Sequence, residues 1–114
     1  MITHIIKRSE WIRAREVGIY VPCSLEKDGF IHCSTIEKTV AVANYNYKNE
    51  NGLVLLCIDE LKIDSEVRYE DLYELNYEYP HIYGPLNLSS VIDVITFEAN
   101  EDGYFELPDK LKTS

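Results

Sequence analysis

The run LVLLCID, residues 53–59, sets six apolar side chains in a row between Gly52 and Asp59. Side chains of a strand alternate between its two faces. A strand with one wet face would therefore alternate apolar and polar residues. This one does not, so it is expected to be a central strand buried on both faces. The rest of the chain has to supply its neighbours and cover.

Residues 2–8, ITHIIKR, read as a short β-branched strand. Ser9 is expected to cap a helix with Glu10 in its first turn. Trp11, Ala14 and Val17 recur every three residues, and Gly18 follows as a stop. GIYVPCS (18–24) is a brief extended piece ended by Pro22, and EKD with Gly29 makes a turn. GFIHC (29–33) reads as a second strand. Ser34 and Glu37 match a capping box, opening a helix whose Ile36, Val40, Ala43 and Tyr47 share one face. EVRYED (66–71) alternates like a strand, and residues 72–79 are a short strand or an irregular connection. HIYG is extended up to Pro85. SSVIDVITFEA (89–99) is rich in strand formers, and NEDG (100–103) is expected as a hairpin turn that pairs YFEL (104–107) back. Two helices in the N-terminal half and five to seven strands make one α+β domain over residues 1–114, with a mostly antiparallel sheet.

Twenty Asp and Glu face 11 Lys and Arg, for a formal charge of −9. Non-specific nucleic-acid binding needs basic residues that neutralise phosphates, so a polynucleotide partner is not expected. Anionic membrane surfaces are disfavoured in the same way. A small anionic ligand is not, because one arginine holds a phosphate locally. The three cysteines, Cys23, Cys33 and Cys57, are an odd and sparse set, which fits a reducing compartment. MITHIIKRSEW lacks the apolar core of a signal peptide, so the expected location is the cytoplasm.

Two stretches carry the chemistry. In DGFIHCS, strand alternation turns Phe30, His32 and Ser34 one way and Ile31 and Cys33 the other. In YPHIYGPL, His81 and Tyr83 share a face opposite Ile82, and in VRYE, Arg68 and Glu70 share a face opposite Val67 and Tyr69. The polar faces are expected to meet across one pocket while the apolar faces pack. Ordinary readings stand beside this: His32 as a satisfied core histidine, Ser34 as a helix cap, and Arg68 with Glu70 as a solvated surface pair. There is no GxGxxG, no phosphate loop and no CxxC. A cysteine nucleophile at Cys33 would point away from His32. His32, His81 and Glu70 could form a two-histidine-one-carboxylate metal site, but their spacing is not diagnostic, and no metal is expected.

In that order, DGFIHCS, a helix, LVLLCID, VRYE and YPHIYGPL resemble the DUF952 family of small bacterial proteins. The family run is D-G-F-I-H-x-S, an apolar strand ending in Asp, an R-W/Y-E triplet, and F-P-H-[IL]-Y-G-P-L. Tyr69 stands where Trp is frequent and Tyr79 where Phe is. The resemblance covers nearly the whole chain. It implies a split antiparallel sheet similar to that of ADP-ribosyltransferases and RNA 2'-phosphotransferases, which bind NAD or an ADP-ribosylated intermediate in a cleft.

By that likeness His32, Glu70 and His81 are catalytic candidates. His32 would orient a ribose, Ser34 or Tyr83 would line the nicotinamide pocket, and Arg68 with His81 would contact phosphate or substrate. The implied activity is transfer of ADP-ribose from NAD, or a related glycosidic cleavage, on a small-molecule or protein acceptor. The alternative is a non-catalytic module for a nucleotide-like ligand, and a weaker one is a metal-dependent enzyme.

Overall fold

The computed structural model describes residues 1–72 and 74–112. The elements run β1 (Ile2–Lys7), α1 (Arg8–Val17), β2 (Ile19–Tyr20), α2 (Cys23–Lys27), β3 (Ile31–His32), β4 (Ser34–Thr35), α3 (Ile36–Asn46), β5 (Leu53–Ile58), β6 (Glu66–Glu70), β7 (Tyr79–Tyr83), β8 (Leu86–Asn87) and β9 (Val91–Phe97). Short 3-10 turns occupy 60–62, 88–90 and 109–111. The class is α+β, with every strand pairing antiparallel.

The strands divide into a four-stranded sheet, β4-β1-β5-β9, a three-stranded sheet, β3-β7-β6, and a small β2-β8 pair. The apolar run behaves as its composition demands. All six residues of β5 are buried between β1 and β9. Val54, Leu56 and Ile58 join a core with Ile2, Ile6, Ile31, Ile82 and Leu86, which ties the larger sheet to the smaller. Leu53, Leu55 and Cys57 face the other way, into a second core with Ala43 of α3, Phe97 and Phe105. Each such side chain withdrawn from water contributes roughly 1.5–3 kcal/mol, so both faces of one strand anchor the molecule.

Several local expectations are corrected. Three α-helices form, not two; the extra one, α2, is five residues long where a turn was expected. Its start is set by Pro22, whose extended backbone precedes the first turn. α1 begins at Arg8, after Lys7, so Ser9 lies inside the helix and caps nothing. Gly18 does end α1, in the left-handed conformation at φ 96°, and its N–H donates to the Ala14 carbonyl. Within the expected stripe Ala14 is buried, but Val17 is 65% exposed.

Ser34 and Glu37 form no capping box. Ser34 is drawn into β4 opposite Thr3, and Thr35 becomes the residue before α3, without a side-chain cap. Residues 104–107 form no strand. Asn100 N–H donates to the Tyr104 carbonyl, and the segment then docks on α3 through two bonds between Asn44 and the Phe105 backbone. Competition from a side-chain amide ends the hairpin after its turn.

Candidate functional site

The site is built on the three-stranded sheet. β3 pairs β7 with His32 opposite His81, and β6 pairs β7 with Arg68 opposite the same His81. His32, His81 and Arg68 thus form one row across three strands, with strand axes about 5 Å apart. Two residues along each strand the same face recurs, which adds Phe30, Tyr83, Glu66 and Glu70. The opposite face carries Ile31, Val67 and Ile82 into the core.

The imidazoles of His32 and His81 lie 5.8 Å apart, nearly edge to face. His32 Nε2–H donates to Asp28 Oδ2 at 2.9 Å, and His81 Nδ1–H donates to Glu70 Oε1 at 3.0 Å. Carboxylates only accept, which assigns the proton on each bonded nitrogen. In the neutral form of each ring the lone pair is on the other nitrogen, Nδ1 of His32 and Nε2 of His81. Tyr83 O–H donates to the same Glu70 oxygen. The hydrogen bonds from Tyr83 and then His81 hold the Glu70 carboxyl below the usual carboxylate range, and the same bond raises the Tyr83 phenol. The Arg68 guanidinium lies 4.5 Å from the centre of the Tyr83 ring and also pairs with Glu66.

Exposure divides the pair. The His32 side chain is 43% exposed, whereas that of His81 is 3% exposed. Phe30 stacks on His81 with ring centres 4.1 Å apart and touches His32 and Tyr83 as well. The histidines are therefore neighbours on one sheet, not opposite walls of a deep pocket. Open hollows lie elsewhere, one along residues 49–52, 98–101 and 103, another between α1 and β9.

His32, Glu70, Arg68, His81 and Tyr83 lie together on one face of the smaller sheet, side by side and not across a pocket. Ser34 does not join them by any hydrogen bond among the described residues. The chain switches sheets at Cys33, whose N–H donates to the Pro80 carbonyl, so β3 belongs to the smaller sheet and β4 to the larger. Ser34 is buried there, its carbonyl accepting from Thr3.

Sequence reasoning missed three contributors: Asp28, His4 and Tyr20. His4, on β1, reaches under β3, where its Nδ1–H donates to the His32 carbonyl at 2.6 Å. A carbonyl only accepts, so His4 Nε2 is the unprotonated nitrogen and accepts from Tyr20 O–H at 2.9 Å. Burial pushes His4 down to about 4. A neutral imidazole thus links all three sheets directly behind the site. The signal was present in ITHII, a histidine inside an otherwise apolar strand.

Burial pushes the Cys33 thiol up, which removes the thiolate that a nucleophile needs. Among the described residues no group of three His, Cys, Asp or Glu side chains converges for a metal. The bonded nitrogens of His32 and His81 are each turned to a separate carboxylate. Among the described residues no helix is long and apolar enough to cross a membrane.

An α+β protein with a divided antiparallel sheet and a carboxylate-paired histidine couple on its smaller part is the class that this fold and site define. Residues 5–94 match the model of DUF952, a family described as of unknown function, and the chain belongs to that family. It is similar to the crystal structure of protein CC0527 from Caulobacter crescentus, with 29% identity, 96% of each chain covered and a TM-score of 0.86. The solution structure of the same protein gives 28% identity and a TM-score of 0.75, over 96% of this chain and 94% of that one. No curated protein matches.

Proposed function

We propose that the chain binds NAD or an ADP-ribose-like nucleotide on the β3-β7-β6 face and cleaves or transfers at its glycosidic carbon, in the manner of an ADP-ribosyltransferase-like enzyme. The observation that carries this reading is the row His32–His81–Arg68 with the ionised Glu70 at its edge. Cleavage at that carbon passes through an oxocarbenium-like state, and a fixed anion stabilises developing positive charge. Glu70 supplies the anion, and His81 and Tyr83 hold it. His32, open to solvent and oriented by Asp28, hydrogen-bonds a ribose hydroxyl and fixes the geometry. Arg68 takes the pyrophosphate. Tyr83, not Ser34, borders the nicotinamide end. The glycosidic C–N bond breaks with its electron pair going to nicotinamide, and water or another acceptor forms the new bond at carbon. The acceptor's proton leaves to solvent water.

The acidic surface supports a small nucleotide over RNA as substrate. A binding module without turnover is the second reading. It is favoured by one observation: Glu70 Oε1 is already engaged by two donors.

Thermal unfolding with NAD, ADP-ribose and nicotinamide tests the binding, because a ligand that binds only the native state raises the melting temperature. The proposal expects NAD and ADP-ribose to raise it and nicotinamide to be released from NAD over time. Stabilisation without release selects the binding module. No shift with either nucleotide overturns both readings.

A further inference from the structure

We propose that the hollow between α1 and β9 binds a small organic anion with an apolar body, held at its charged end by Arg8 and Arg15 and along its body by Trp11 and Val94. This site shares no residue with the histidine face.

Arg8, Trp11, Ile12 and Arg15 line the hollow together with Val94. They stand at i, i+3, i+4 and i+7 of α1, so they form one continuous face of the helix. α1 packs over β1 and β5, and the edge strand β9 is left partly uncovered beside it. The wedge is an open groove that offers about 410 Å³ beside the helix face. Trp11 and Val94 are half-buried against the main core and give it an apolar floor. Ile12, 48% exposed, adds an apolar wall.

Charge decides what the hollow accepts. Acidic residues outnumber basic ones 20 to 11, yet among the described residues neither Arg8 nor Arg15 pairs with a carboxylate. Arg8 Nη2 donates to Thr96 Oγ1 at 3.1 Å, which steers its guanidinium over β9 and leaves other N–H donors free. Two guanidinium groups without a carboxylate partner among the described residues stand two turns apart on this helix face and favour an anion here. Their planar forks match carboxylate or phosphate oxygens. A bare inorganic anion would leave the indole floor uncovered, and a neutral apolar molecule would leave the guanidinium groups without a partner.

Trp11 is the single tryptophan of the chain, so its emission reports on this hollow alone. The full chain is titrated with octanoate and with phenyl phosphate, and in parallel with inorganic phosphate and benzyl alcohol. The proposal expects a saturable emission change with octanoate or phenyl phosphate, at least tenfold tighter than with either control. It expects Arg15→Gln to weaken that binding tenfold or more with an unchanged melting temperature, and Arg8→Gln to weaken it as well. The proposal is overturned if neither probe saturates, if a control binds as tightly, or if Arg15→Gln binds like the parent.

Discussion

His32 and His81 stand directly opposite each other on adjacent strands, 5.8 Å apart, and each gives a ring proton to a carboxylate of its own. The two carboxylates differ in setting. Asp28 lies in the exposed turn before β3, while Glu70 lies on β6, three-quarters covered. The pair is therefore asymmetric, with one ring presented to solvent and one held beneath Phe30.

Asp28→Asn tests the exposed half. The Asp28–His32 contact is solvent-exposed, so its loss should change stability by less than about 0.5 kcal/mol. It should nevertheless weaken ADP-ribose binding about tenfold, as expected when a ring loses the partner that orients it. Chemical denaturation and a ligand titration on the same variant separate the two effects.

Tyr83→Phe tests the buried half. It removes the first of the two donors that hold the Glu70 carboxyl low, so that carboxyl should titrate closer to the ordinary value, as followed by carboxyl NMR. A carboxyl that is lowered in the folded state adds stability above its unfolded value, and this stability is lost as pH falls through the folded value. The variant should therefore lose less stability over that acid interval than the parent does.

His4 predicts the opposite group type with the same slope. Its folded value, about 4, lies below the unfolded 6.5, so between these values the unfolded chain binds the extra proton. Stability should be complete above pH 6.5 and fall as pH drops toward 4, by about 2–3 kcal/mol. Urea unfolding between pH 4 and 7 should show this slope, and His4→Gln should flatten it. At pH 7 the same substitution should cost about 1–3 kcal/mol, because Tyr20 O–H and the His32 carbonyl lose a shared partner.

Gly84 follows β7 within YGPL, and a Cβ there would fall 2.5 Å from Ser65 Oγ. That hydroxyl donates to the Pro85 carbonyl at 2.7 Å and clips the loop before β6 to the end of β7. Gly84→Ala should break the clip and cost about 1–3 kcal/mol, measured by thermal denaturation. Ser65→Ala, which removes the obstructing oxygen, should recover part of that loss in the double variant.

Much of this was legible from alternation alone. β5 announced itself as central because no polar residue interrupts it, and His32, His81 and Arg68 fell on one face because strands have a period of two. What escaped was set by long-range pairing. Ser34 reads as a helix cap in isolation, but β1 claims its backbone through Thr3. α2 is too short to show a periodic stripe. Asp28 sits four residues before His32, a spacing that is significant on a helix and carries no meaning across the turn at Gly29. His4 stood out locally as a histidine among Ile2, Ile5 and Ile6, but its partners, a carbonyl and a phenol from two other sheets, are encoded by no local pattern.

The most direct measurement follows the imidazole resonances of all three histidines by NMR as ADP-ribose is added. The account predicts that the His32 and His81 signals move together and saturate, while His4, closed behind the sheet, keeps its tautomer and shift. Static His32 and His81 signals at millimolar ADP-ribose, or equal movement of all three, would contradict it.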